Sequence, residues 1–588
     1  MTPLRHGMSR LAVRFAALTA FLLPLKFGGL AGVPELSSFY PPGVSDWLVV
    51  SWPVQFFPVV SGTALLLALA GGAWRPPADV GVRLLMALWG FLLPAAALWG
   101  MRSSAVADYA HAQIVHFAGI GAAVWCFGLL IAAEPRARNI LFGALMWGSL
   151  CAVLLGWYQY LWGFEETRRF FAEAAAAGAT EVSEQLRIKL NDDRVYATFS
   201  SCNTFAGFLL LTGAALAGYF GTLGDRFEPR RFSRLFFGGV AALLALGLLF
   251  LTRSRGALLC ALLAGAGFVL TSRLSRAVKF VAAGVALALL VGGAVYVRCA
   301  GRGFSSSGER LDYLVTTARL VAEHPLSGSG WDGFFREHMR SKISATDEAA
   351  HDPHNFAAAF AAAGGVPAGL VALAALACPF VLIYRRRKES DPLRRAVFWG
   401  CAAFALHMLM EVDHLTPAAP TAFMLLALFI LIPEDAASPA PSPTERVICS
   451  AAAVTLALAA LGSGSCALSG DVAYARFCSV VEPEPGMRWR PPSPARLEAA
   501  LAEVLKARPG SPFPLEKAAD CYVLLGMPER AEELLKEALL TGGPRPGPFW
   551  KLAAIAEIRG RRSEAEAHRA EAERLFPAKY RPLRRSGR

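Results

Sequence analysis

Apolar runs about as long as a membrane is thick recur along this chain, separated by short polar loops. Each covers roughly 17–25 residues, enough to cross a ~30 Å hydrocarbon core as a helix. They predict about thirteen spanning helices, centred on Leu11–Leu30, Val49–Gly71, Leu84–Met101, Ile114–Ala133, Ile140–Phe164, Asn203–Gly221, Leu235–Thr252, Gly256–Thr271, Phe280–Val297, Phe356–Tyr384, Ala396–Val412, Pro420–Pro433 and Val447–Ala467. Gly364, Gly365 and Pro367 inside the tenth predict a kink or break, because Pro removes a helix donor and Gly tolerates other backbone angles. The first run has no clear small-residue cleavage site, so it is expected to be retained as a span. The fold class expected is all-α: a polytopic helical membrane protein of 12–13 transmembrane helices with a small C-terminal helical-repeat domain.

Composition agrees. Mean hydropathy is +0.42 and 55% of the 588 residues are hydrophobic, beyond the range of an ordinary soluble domain. The loops then give orientation, since basic loops resist translocation. Arg226, Arg230, Arg231 and Arg234 mark one loop, Arg273, Arg276 and Lys279 the next, and Arg385–Lys388 with Arg394 and Arg395 a third. By span count all three share the side of the N-terminus, which carries Arg5 and Arg10, whereas loop 31–46 has no Lys or Arg. The N-terminus is therefore expected inside, and the segments 165–202, 253–255 and 298–355 outside.

The outer segments hold the unusual polar groups. One reads Arg194-Val-Tyr-Ala-Thr-Phe-Ser-Ser-Cys-Asn203, followed by Phe205-Ala-Gly-Phe208. A second is the tight turn Thr252-Arg-Ser-Arg-Gly256. The third runs from Gly308-Glu-Arg310 through His324-Pro-Leu-Ser-Gly-Ser-Gly330 to His351-Asp-Pro-His354-Asn355. Each has a plain structural explanation as well. Arg255 serves equally as a headgroup anchor, Arg310 as a partner of Glu309 or Asp312, and His354 with Asn355 as the cap of the next helix. His407, Glu411, Asp413 and His414 fall near the outer end of the eleventh run, where contact with water accounts for them as readily as function does.

Taken in order, these motifs resemble the O-antigen ligase and polymerase superfamily of bacterial envelope enzymes. The resemblance rests on the "TxSRG" turn at Thr252–Gly256, on Arg310 before "HPLxGxGxxxF" ending at Phe334, and on His354-Asn355 followed by Gly365-Val-Pro367. "GTFxxxNxFA" appears as Ala197-Thr198-Phe199 with Asn203 to Ala206, with Ala197 in place of the first Gly, and Trp331 follows the "HPLxGxG" element. The match covers roughly Arg194–Pro433.

The resemblance implies an inverting, metal-independent glycosyltransferase with no cofactor. The donor would be a polyprenyl-diphosphate-linked glycan, and the acceptor a hydroxyl on a glycan, lipid or protein, as in lipopolysaccharide and other envelope polysaccharides. Guanidinium groups suit a diphosphate leaving group, which points to Arg255 and Arg310, with Arg194 beside them. His354 would act as general base, supported by Asn203, Asp352 or His351, and Asn355. The implied location is the bacterial inner membrane, multi-pass, with the active face periplasmic. Two other readings stand: a polymerase that extends a glycan, and a non-catalytic flippase or transporter of glycan lipids. Transport calls for polar residues inside several spans, and here they crowd the outer ends.

The chain is expected to divide into N-terminal transmembrane helices (1–193), a catalytic membrane region (194–433) with its outer loop 298–355, and a last span with a Pro-rich linker (434–494). Beyond these lie helical repeats (495–577) and a basic tail (578–588). In the repeats Pro514, Ala519, Gly526, Ala531 and Ala538 recur 34 residues on as Pro548, Ala553, Gly560, Ala565 and Ala572, a period resembling tetratricopeptide repeats. They suit a protein partner or an acceptor, or a stabilising cap, and lie outside if Val447–Ala467 crosses. The net charge of +13 fits anionic membrane lipids and calls for no nucleic acid. Eleven cysteines lack metal-ligand spacing, and Cys466 and Cys478 offer a pairing outside.

Overall fold

The computed structural model describes residues 3–32, 41, 43–176, 187, 190–227, 231–272, 274–281, 283–285, 288, 305–343, 349–385, 391–433, 442–482 and 491–585. Among the described residues it is a helical bundle without β-strands. Eight helices are long and apolar enough to cross a membrane, and Phe56–Ala70, Arg255–Thr271 and Ala418–Leu431 are shorter apolar helices. Pro392–Met408 adds another. Most of the expected ninth span and much of the Pro-rich linker lie outside the described residues.

A helix that is apolar all round must be surrounded by protein or lipid. Ala107–Ala133 is surrounded by protein: nearly every side chain is buried against Phe56–Ala70, Val80–Met101 and Pro443–Val481. Ala418–Leu431 is buried in the same way. Around this centre the other helices turn apolar side chains outward, as at Leu243, Phe250 and Leu370.

The tenth span, Phe356–Arg385, breaks where the sequence predicts. Gly364 and Gly365 leave helical geometry, Gly365 at φ 76° and ψ −174°. The break orphans two carbonyls. Ala363 O loses its donor because residue 367 is Pro, and Ala362 O loses its donor because Val366 N turns to Pro325 O at 2.8 Å. Both find replacements in the His324–Gly330 motif: Ser329 N donates to Ala362 O (2.8 Å) and Gly330 N to Ala363 O (3.0 Å). Trp99 Nε1 to Leu326 O and Trp331 Nε1 to Ala97 O fasten the motif to Val80–Met101. An unsatisfied carbonyl at this depth costs several kcal/mol (roughly), so motif and break form one structure.

The eleventh helix ends at Met408, short of the expected Val412, and a single 3₁₀ turn, Val412–Leu415, follows. Glu411, Asp413 and His414 therefore sit on a bend. The last long helix runs from Pro443 to Val481, and its far end (Tyr474, Phe477, Val481) forms a second core with Leu497, Leu501, Leu515 and Tyr522. These C-terminal helices lie at the bundle end that carries His354: Ser511 hydrogen-bonds the Asp108 carboxylate, and Phe576 and Tyr580 pack with Met339. Cys466 and Cys478 are both free thiols, contrary to the pairing the sequence offers. They occupy one helix, the first exposed and the second buried.

A Cβ at Gly365 would stand 2.6 Å from Pro325 O, on a residue with positive φ. Gly365→Ala should lower stability by about 1–3 kcal/mol, the usual cost of forcing such a backbone. Gly462→Ala, in a helix interior with open space around it, should hold or gain. Equal melting temperatures for the two variants in detergent would show that the break is not strained against its motif.

Candidate active site

The site is built outward from Glu411, which is 3% exposed. Its Oε1 accepts from Asn203 Nδ2 at 3.0 Å and pairs with Arg310, whose Nε donates to Met410 O at 2.9 Å. Asn203 turns its other face to Arg194, with Oδ1 accepting from Nη2 at 2.8 Å. This assignment of the amide follows from chemistry alone, since a guanidinium only donates and a carboxylate only accepts. Arg194 Nε continues to Thr252 O at 3.1 Å, the first residue of the turn that presents Arg255. Arg255 is exposed as the first residue of the helix Arg255–Thr271. Burial lowers the proton affinity of Arg310; Tyr313 and Glu309 oppose that shift, and the nearby Arg255 charge adds to it. Three guanidinium groups therefore gather at one place, with Glu411 paired to one of them. Helix and guanidinium point the same way electrostatically, because a helix N-terminus also attracts anions.

The backbone that carries Arg194 is strained. Ala197, standing where the resembled family often has Gly, adopts φ 48°. Gln159 Oε1 holds it there by accepting from Tyr196 N (3.0 Å) and Ala197 N (2.9 Å).

His354 lies on the other side of Arg310. Its φ is 55°, a left-handed bend fixed by its own N–H donating to Asp352 Oδ1 at 2.7 Å. The ring stacks on Tyr313 with centroids 5.1 Å apart, one helical turn from Arg310. Nδ1 lies 2.9 Å from Asp352 O. A carbonyl only accepts, so Nδ1 carries the proton and Nε2 keeps the basic lone pair. Burial moves the His354 pKa below the ordinary imidazole value; Asp352 opposes that shift, while Arg310 and His414 add to it.

Asp352 is the orienting carboxylate. Burial would raise its pKa, but His414 and His354 outweigh this and hold it low. Its Oδ2 accepts from His414 Nε2 at 3.1 Å, and His414 O accepts from His116 Nε2 at 2.8 Å. The His351 ring stacks on Phe335 at 3.8 Å and meets Tyr109 Oη. The helix cap is Asn355 and not His354, with Asn355 Oδ1 accepting from Ala358 N at 3.0 Å. Asn355 Nδ2 also donates to Leu409 O at 2.8 Å, clamping the loop to the bend that holds Glu411.

Two expectations from sequence change here. Arg310 pairs with Glu411, with Glu309 adding a favourable charge, whereas Asp312 accepts from Ile343 N. His407, Glu411, Asp413 and His414 do not meet water. All four are buried, with His407 Nδ1 2.6 Å from Asp413 Oδ2. The glycine in Phe205-Ala-Gly-Phe208 has a purpose in this layer, because a Cβ at Gly207 would collide with the Asp413 carboxylate. Glu411 and His414 are the residues that sequence reasoning underweighted; the signal was four ionisable side chains within eight positions at the end of an apolar run.

Comparison with known proteins agrees with part of this picture. No curated protein matches the chain. Residues 240–373 match the family model described as O-antigen ligase, a stretch that includes Arg255, Arg310, His354 and the broken helix as far as Leu373. Arg194, Asn203 and Glu411 lie outside the matched residues, and the fold brings them in. Over residues 240–373 this membrane protein is similar to the O-antigen ligases.

Proposed function

We propose that the chain is a membrane glycosyltransferase of O-antigen ligase type, moving a glycan from a polyprenyl-diphosphate carrier to an acceptor hydroxyl at the periplasmic face of the inner membrane. The observation that carries this reading is the cluster of Arg194, Arg255 and Arg310 beside a histidine whose Nε2 is its basic atom. As the anomeric C–O bond breaks, negative charge grows on the leaving diphosphate. Arg255 and Arg310 stabilise it with bidentate, charge-assisted hydrogen bonds, and Arg194 completes the cationic wall. His354 Nε2 removes the proton of the acceptor hydroxyl, which attacks from the face opposite the diphosphate and inverts the anomeric centre. Asp352 keeps the imidazole oriented and stabilises the imidazolium. The guanidinium groups supply the counter-charge, so the reaction calls for no metal. The end of the bundle opposite the basic loops is the periplasmic one.

The first test is transfer by purified protein in detergent with EDTA, from a polyprenyl-diphosphate glycan to candidate acceptors. Wild type should form product, and His354→Ala should lose about 10²–10⁴-fold, the usual value of general-base help. Arg255→Ala and Arg310→Ala should lose transfer while inserting and folding normally. A single added block would mark a ligase and a ladder a polymerase. Wild-type rates in His354→Ala would remove the histidine from catalysis. Absence of product with lipid-linked glycan still bound would favour the flippase or transporter reading.

The pH profile gives an independent check. His354 acts as a base when neutral, so kcat/KM should rise with pH through a pKa below that of a free imidazole, ~6.5. The Asp352 charge raises that pKa, so Asp352→Asn should move the acid limb to lower pH. A limb that stays in place would assign the titration to another group.

A further inference from the structure

A cavity of about 580 Å³ lies between the membrane helices and the C-terminal helices, within the ~300–1,000 Å³ of small-ligand pockets. None of Arg255, Arg310 and His354 lines it, and none of its lining residues falls in 240–373, the stretch similar to the O-antigen ligases. Its polar wall is Asp108, His111, Asp471 and Arg508, and Trp52 stands on the apolar side. These groups are fixed before anything binds. Arg508 pairs with Asp471 and lies 4.8 Å over the Tyr474 ring, while Trp52 Nε1 donates to Trp47 O at 2.6 Å. Ser200, also on the wall, is three residues before Asn203, so the strained segment 197–203 separates the cavity from the guanidinium cluster.

We propose that this cavity binds the saccharide of the acceptor, an inference that rests on the transferase reading above. Two carboxylates against one guanidinium disfavour a diphosphate, and ionisable groups set in a mostly apolar lining suit a ligand with both hydroxyls and C–H faces better than a bare prenyl chain. A neutral saccharide matches on both counts. Carboxylate and guanidinium edges offer paired acceptors and donors to neighbouring hydroxyls, and an indole ring takes the apolar C–H face of a sugar. Acceptor choice then resides in helices outside the matched stretch, including the C-terminal ones.

Cys466, a free and exposed thiol on the cavity wall, provides the readout. Its alkylation by a maleimide, followed by peptide mass spectrometry on the full-length protein, is compared with no addition, with the neutral oligosaccharide released from the source organism's own envelope glycolipid, and with polyprenyl diphosphate. The oligosaccharide should slow labelling several-fold and polyprenyl diphosphate should not. Ala467→Trp and Ala112→Phe, which fill the cavity from opposite walls, should abolish that protection. They should also raise the acceptor KM about tenfold, with kcat and donor KM retained, as expected for lost ground-state binding. Protection by polyprenyl diphosphate alone, or an unchanged acceptor KM in both well-folded variants, would overturn the proposal. Protection by oligosaccharide without transfer to any acceptor would keep the binding site and refute the transferase reading instead.

Discussion

A carboxylate buried at the end of a membrane helix must be paired or neutralised, because isolated charge in a low dielectric is prohibitively costly. Glu411 is that carboxylate, and much of the site follows from satisfying it. Its Oε1 draws in Arg310 from the outer loop and Asn203 from the start of another helix. Once Asn203 donates to Glu411, its carbonyl can face only a donor, and Arg194 supplies one. Arg194 then reaches the backbone of the turn that presents Arg255. One buried charge therefore sets the register of three distant segments, each bearing a guanidinium.

The second constraint is backbone hydrogen bonding. The broken helix Phe356–Arg385 exposes carbonyls that water cannot reach, and the His324–Gly330 motif covers them. The same helix begins at Asn355, whose side chain caps it and also grips Leu409 O. His354 is thus held between a helix start anchored to the Glu411 bend and a loop anchored to the helix break. Its left-handed φ stores strain at the position that needs a fixed ring, with the Asp352 carboxylate holding the bend on one side and Tyr313 the ring on the other.

The apolar runs made the helices legible, since twenty apolar residues in a row have few other uses. The break was legible too, from Gly364, Gly365 and Pro367. The His324–Gly330 element carried less chemistry than its polar residues suggest: its backbone N–H groups serve as replacement helix donors, and no periodicity reveals such a role. Arg310 was singled out from its motif, but its partner was sought among Glu309 and Asp312 because sequence shows only neighbours in the chain. Glu411 is about a hundred residues away, and its pairing appears only when the bend after Met408 folds back. The same limit hid His414, whose tie to Asp352 crosses two helices. The cap went to Asn355 and not to His354 because the helix starts at Phe356, and the His354 ring is engaged instead with Asp352 O and Tyr313.

The two substrates of the proposed reaction make opposite demands, and the two ends of the segment 197–203 meet them separately. A polyprenyl diphosphate keeps its charge at headgroup depth, so its site must lie where helices end and must be cationic. Arg255 and Arg310 answer both conditions in the proposed reaction, one at a helix N-terminus and one in the first turns of the helix Ser305–Glu323. An acceptor saccharide comes from water, needs no net charge, and must reach His354 without displacing the diphosphate. A cavity whose wall carries Asp108 and Asp471 meets that need by repelling the donor head group while hydrogen-bonding hydroxyls. In the proposed reaction, charge would thereby sort the substrates before either reaches the imidazole. The wall between the two sites is held by Gln159 and by the bond from Ser200 N to Gly28 O, so the sorting depends on a short strained segment whose shape is fixed from both sides.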